Sequence, residues 1–200
     1  MVVRTIPVAI SARHVHLCQD SIDRLFGAGY VLTVISPLSQ PGQYATGETV
    51  TLTGPRGRLT AVRVLGPPRD ADQIELSRSD EMTLGIHAPL RLSGDLAQTP
   101  GIAITGPAGQ IALEHGVITA TRHIHMSPQD AQDFQVRDRQ RVQVAIDSDG
   151  RDLLFDDVVV RVSPAFRLEM HLDTDEGNAA GIESCGSARL VTTSRNRAHG

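Results

Sequence analysis

A mainly β fold with a few short helices is what this sequence predicts, on three observations. Turn-forming residues recur at short intervals, 18 glycines and 11 prolines in 200 residues, and they bound short runs rich in Val, Ile and Thr. Only three segments carry the spacing and end signals of a helix. Two pieces of sequence also occur twice: Arg-His-apolar-His at 13–16 and 122–125, and a Thr-Gly-Pro turn in TLTGPRG (51–57) and AITGPAG (103–109).

From the N-terminus, the first strand is expected at residues 6–12 (IPVAISA), followed by a helix at Gln19 to Phe26. Residues 48–53 (ETVTLT) alternate as a half-buried strand does and turn through Gly54-Pro55-Arg56-Gly57 into a partner at Arg58 to Leu65. A strand follows at 72–77, then a second hairpin in GIAITGPAGQIAL, residues 101–113, and a strand at 117–125. Ser127 before Pro128 has the form of a helix start, N-cap then proline, and predicts a helix from Pro128 to Phe134. Strands at 140–147, 151–162, 166–172 and 187–192 complete the set, with a helix at Thr174 to Ala180 capped by Asp173. The last residues, TTSRNRAHG, are polar and expected to fray. The two histidine tetrapeptides each sit where a strand gives way to a short helix, so a duplicated strand, corner and helix is the simplest account.

Composition removes several functions. The chain has 19 basic residues, every one arginine, against 23 acidic ones, for a net charge of −4. Without lysine there is no Schiff-base amine and no P-loop lysine, and anions must be met by guanidinium forks or backbone amides. The acidic balance and 3% aromatic content argue against nucleic acid as a partner. Cys18 and Cys185 are too few for a disulfide framework or a thiolate zinc cluster. No stretch approaches the roughly 20 apolar residues of a membrane span, and the start MVVRTIPVAISA is too short and Pro-interrupted for a signal peptide. An intracellular, soluble protein is expected.

Four of the eight histidines lie in the two tetrapeptides. Residues i and i+2 of a strand face the same way, about 7 Å apart, so His14 with His16, and His123 with His125, can converge on one point. One such pair is commonly structural; two in matched settings point to metal. His171 in LEMHLDTDE and Glu75 in QIELSRSD are further candidates. Five imidazoles and a carboxylate exceed one tetrahedral site and suit two sites of three protein ligands, the pattern of catalytic zinc, with iron, cobalt or manganese also compatible. HLDTDEGN has acidic spacing, but the glycine and final glutamate of a calcium loop are out of place; Asp175 and Glu176 suit the positive end of a helix instead. His87, His115 and His199 are expected at the surface.

SARHVHL, SQPGQYATGETVTLTGP, VRVLGPPR, ELSRSD, SGDLAQTPGIAITGP, RHIHMSPQDA and RVSPAFRLEMHLDTDEGNAAG together resemble the phosphate propanoyltransferase (PduL-type phosphotransacylase) family of bacterial microcompartment metabolism, from about Ile6 to Gly181. The resemblance implies two closed β-barrels that exchange strands: residues 1–12 with 121–192 in one, 13–120 in the other, and a flexible tail at 193–200. It implies a reversible reaction, acyl-CoA plus phosphate giving acyl phosphate plus coenzyme A, with propanoyl or acetyl as the acyl group. Two divalent metals, usually zinc, at the junction of the barrels are implied, with ligands falling on His14, His16, Glu75, His123, His125 and His171. The grouping expected is His14, His16 and His171 on one metal, and His123, His125 and Glu75 on the other. Arg69, in a Gly-Pro-Pro-Arg loop, falls on the family's phosphate-binding arginine.

Arg13 and Arg122 are read either as anion-binding groups or as forks bonded to the protein itself. Cys18 offers an acyl-cysteine route, or is simply a small residue opening a helix, as Ser127 is in the second copy. The family further implies a homodimer and association with a propanediol-degrading microcompartment. Encapsulated members carry an extra N-terminal amphipathic helix that this sequence does not show, so the expectation is either a cytoplasmic member or a sequence from which that helix has been trimmed. Gly177 stands where relatives usually have alanine, which should loosen its helix slightly. A dimetal hydrolase of thioesters or phosphoesters is the alternative, and a non-catalytic metal-binding barrel protein a third reading; acyl-CoA consumption that needs phosphate separates them.

Overall fold

The structure, a computed structural model, describes residues 4–193. The expected tail at 193–200 and His199 lie outside the described residues, except Thr193, which ends the last strand. Two compact units form, one from residues before 12 together with those after 120, the other from 12–120.

In chain order, β1 (Thr5–Ile10) belongs to the first unit. The second unit contributes β2 (His14–His16), α1 (Gln19–Phe26), β3 (Val34–Pro37), β4 (Tyr44–Thr53), β5 (Arg58–Gly66), β6 (Gln73–Leu76), α2 (Arg78–Leu84), β7 (Leu90–Arg91), β8 (Ala103–Thr105), β9 (Gln110–Ala112) and β10 (Val117–Ala120). The chain then returns to the first unit with β11 (His123–Met126), α3 (Pro128–Asp133), β12 (Arg141–Ile146), β13 (Leu153–Val162), β14 (Glu169–Leu172), α4 (Thr174–Ala179) and β15 (Cys185–Thr193).

The first unit closes as a six-stranded barrel in the order β1-β14-β11-β13-β12-β15. Strand β1, separated from the rest by the whole second unit, lies between β14, to which it is parallel, and β15, to which it is antiparallel, so the first unit is discontinuous in sequence. Alternation drives the closure: Ile6 and Val8 of β1, Val142, Val144 and Ile146 of β12, and Met170 and Leu172 of β14 are all buried in one core with Ile124 and Met126.

The second unit is a nine-stranded half-barrel sheet ordered β7-β10-β6-β2-β5-β4-β8-β9, with β3 paired to β4. Its pairing path is open among the described residues, where the resemblance implied closure. The strands at its ends are two and three residues long, too short to offer each other a matched ladder, and Pro89 precedes the shorter without a donor. Val15, Leu17, Val50, Leu52, Val62, Val64, Ile74 and Ile104 fill its core with Ile22 and Leu25 of α1 and Leu84 of α2. In β5, Ala61 adopts φ 55°, and the register shifts opposite it; this bulge lets Leu59 and Val62 face the same core.

The duplicated turns have a structural purpose. Arg56 N–H donates to Leu84 O at 3.0 Å and Ala108 N–H to Leu25 O at 2.9 Å, so each Gly-Pro turn satisfies a carbonyl at the C-terminus of a helix. A Cβ at Gly54 would lie 2.4 Å from Leu84 O, and one at Gly106 2.5 Å from Leu25 O. Only glycine allows this approach.

Helix α2 was not expected, although Ser77 and Asp80 make a capping box and Gly85, at φ 73°, ends it. Strands β3 and β7 are also additional. The run at 117–125 divides into β10 and β11 around Thr121 and Arg122.

Candidate metal centres

Every ligand candidate lies on a strand that leads directly into a short helix. His14 and His16 are on β2 before α1, Glu75 on β6 before α2, His123 and His125 on β11 before α3, and His171 on β14 before α4. Strand β2 pairs antiparallel with β6, setting His14 opposite Glu75 and His16 opposite Gln73. Strand β11 pairs antiparallel with β14, setting His123 opposite His171 and His125 opposite Glu169. On their other sides β2 and β11 run parallel to β5 and β13. The same local topology is built twice.

Register therefore decides the grouping, and it differs from the expected one. His14, His16 and Glu75 bring their ligand atoms within 4.8 Å of one another, as do His123, His125 and His171. Glu75 joins the first histidine pair because β6 pairs with β2; His171 joins the second because β14 pairs with β11. Strand β1, which joins the first unit from the N-terminal side of the second, carries no ligand candidate.

The ring nitrogens are arranged for ligation. His14 Nδ1 is 2.9 Å from Ala12 O and His123 Nδ1 is 2.8 Å from Thr121 O, so each donates its Nδ1–H to a carbonyl and presents Nε2 as a lone pair. His16 is 2% exposed, and its Nδ1 is buried with no hydrogen-bond partner. Such an atom costs stability unless something binds it, and a cation fits. Burial pushes the His16 imidazolium down to about 3, helped by the charges of His14 and Arg69. Burial opposes charge on His14 too, but the Glu75 carboxylate, 3.7 Å from Nε2, raises it above its ordinary value. His171 Nε2 lies 2.6 Å from Glu169 Oε2. Phe166 packs its ring 4.3 Å from that of His125, and the Arg161 guanidinium lies over Phe166.

The arginine preceding each histidine pair takes the same role in both copies. Arg13 Nε is 2.9 Å from Asp80 Oδ1, and Asp80 is the third residue of α2. An Arg122 terminal nitrogen (Nη1) is 2.7 Å from Glu176 Oε1, and Glu176 is the third residue of α4; Arg122 Nε also donates to Asp156 O. Each fork ties the strand bearing two histidines to the helix that follows the strand bearing the third ligand.

Arg69 lies in the same unit as His14, His16 and Glu75, close enough for its charge to act on both imidazoles. Its N–H donates to Leu17 O at 2.9 Å and its Nη1 to Ser93 Oγ at 3.1 Å. Cys18 takes the N-cap position of α1 and its thiol donates to Ser21 Oγ. Asp173 caps α4 as expected, and His87 and His115 are exposed. Gln73, Ser93 and Glu169 carried no sequence signal; Gln73 and Glu169 emerge from the pairing of β2 with β6 and β11 with β14, and Ser93, just after β7, from its hydrogen bonds to Arg69 and Gln73.

Comparison with known proteins gives one consistent result. Residues 7–183 match the phosphate propanoyltransferase family. A phosphate propanoyltransferase of Citrobacter freundii is 54% identical over 181 residues, covering 90% of this chain and 86% of that protein. The Thermotoga maritima protein of the same name is 54% identical over 177 residues, 88% of this chain and 84% of its own. One from Salmonella typhimurium is 52% identical over 189 residues, 94% and 90% respectively.

Proposed function

Because the chain belongs to the phosphate propanoyltransferase family and is an acyltransferase, we propose that it interconverts propanoyl-CoA and phosphate with propanoyl phosphate and coenzyme A, using one zinc ion on each histidine triplet. The carrying observation is the position of Arg69, whose guanidinium donates to Ser93, the same hydroxyl that accepts from the Gln73 amide holding Glu75.

In this reading the Arg69 guanidinium pairs with the phosphate dianion and limits its orientation. A phosphate oxygen forms the new bond to the thioester carbonyl carbon, the C–S bond breaks, and its electron pair leaves on the coenzyme A sulfur. His14, His16 and Glu75, and His123, His125 and His171, would each hold a zinc ion, which would supply Lewis acidity toward anionic oxygens and a soft thiolate. The His14 and His123 rings are held in orientation by the Ala12 and Thr121 carbonyls, so little binding energy goes into ordering them. Acetyl-CoA differs from propanoyl-CoA by one methylene, worth about 1–3 kcal/mol in a fitted pocket, and is a second substrate. Family membership also supports a homodimer that works in the cytoplasm or in a propanediol-degrading microcompartment.

The test is thiol release from propanoyl-CoA and acetyl-CoA with and without phosphate, before and after chelation. Release that needs both phosphate and metal is expected. Release without phosphate would instead establish a hydrolase.

A further inference from the structure

The side chain that fixes Glu75 is Gln73. It is 1% exposed, and its amide is engaged on every side: Nε2 donates to Glu75 Oε1 at 2.6 Å and to Ser93 Oγ at 2.8 Å, while Oε1 accepts from Gly94 N–H at 2.8 Å. These partners define the amide's orientation, because a flip would set its oxygen against a carboxylate and its NH2 against a backbone donor. Gly94 adopts φ 96°, a conformation that favours glycine and turns its N–H toward Gln73.

Two residues of the proposed chemistry meet through this amide. Ser93 Oγ accepts from both Gln73 and Arg69, so a continuous path runs from Arg69 through Ser93 and Gln73 to Glu75 and on to His14. A glutamate ligand has three side-chain bonds to order, and Gln73 restricts that freedom by holding one oxygen, leaving Oε2 on the side of His14. The other unit repeats the device with different chemistry: Glu169, at the register position matching Gln73, touches the third ligand there, His171. We propose that Gln73 is a positioning residue that sets the metal affinity of the His14, His16 and Glu75 triplet and joins it to Arg69 through Ser93, an inference that rests on the metal reading above.

The test is zinc affinity by competition with a chromogenic chelator, in full-length protein carrying His123→Ala so that only this triplet loads. Gln73→Met keeps the side-chain length and removes its hydrogen bonds. It is expected to weaken zinc binding about 10–100-fold, the usual effect of losing a partner behind a metal ligand. In a Glu75→Gln background the same change should add little, because the amide acts through Glu75. Gln73→Asn keeps a buried amide one methylene short of Glu75 and should show the same loss if the methionine variant does not fold. A folded Gln73 variant with the parent's affinity, effects that add fully in the double variant, or failure of both variants to fold would overturn the proposal. If the His123→Ala parent itself binds no zinc, or Glu75→Gln binds it unchanged, the metal reading fails rather than the role of Gln73.

Discussion

His14 and His16 are two residues apart on one strand, yet their surroundings push their charge in opposite directions. Burial holds His16 neutral, while Glu75 overcomes burial at His14. A site that keeps one imidazole neutral and sets a carboxylate against the other favours a cation shared among the three. Glu48 shows the same contest at a structural position. Burial raises its carboxyl, but hydrogen bonds from Thr33 and Thr46 prevail and hold it below its ordinary value, and Tyr30 donates to it at 3.0 Å. A carboxyl whose folded value is depressed stabilises the fold above its unfolded value and loses that contribution as pH falls through the folded one. Glu48→Gln should therefore lower the urea midpoint most near pH 7, and the gap from the parent should narrow at acid pH as the carboxyl protonates. A gap of equal size at both pH values would show that Glu48 acts without its charge.

At the scale of elements, the repeated unit is a strand carrying ligands, a capped turn and a short helix. Its turns and its arginine forks make separate predictions. Gly54→Ala and Gly106→Ala each press a methyl against a helix carbonyl and should cost about 1–3 kcal/mol by urea denaturation; a neutral result at both sites would mean the turns are free to move away. Arg122→Ala leaves Glu176 and the Asp156 carbonyl without their donor and should cost about 1.5–3 kcal/mol, with Arg122→Lys recovering only part, since an ammonium cannot reproduce the fork. The histidine pairs were legible because a strand's period of two puts i and i+2 on one face. Their division into triplets was not, because it depends on which strand pairs with β2 and in what register, a non-local choice. Helix α2 was within reach, through Ser77, Asp80 and Gly85, but its seven residues include Ser, Asp and Thr, weak formers that hide it. Gly177 packs beside β1: a Cβ there would meet Ile10 Cδ1 at 2.4 Å, the tip of a side chain that can turn aside, so alanine would need only Ile10 to repack.

In the molecule as a whole, two units with different sheets, a closed six-stranded barrel and an open half-barrel, carry the same arrangement of ligands. The three candidate ligands of each triplet lie within one unit. No helix among the described residues is long and apolar enough to cross a membrane. The most direct test of this arrangement is zinc content per chain, by elemental analysis, in two double variants compared with the parent. His14→Ala with Glu75→Gln removes two ligands of one triplet, so one of two zinc ions should be lost and the other retained. His14→Ala with His171→Ala damages both triplets, so both ions should go. The reverse pattern, both lost from the first variant and one kept by the second, would contradict the account and restore a grouping in which the halves exchange ligands.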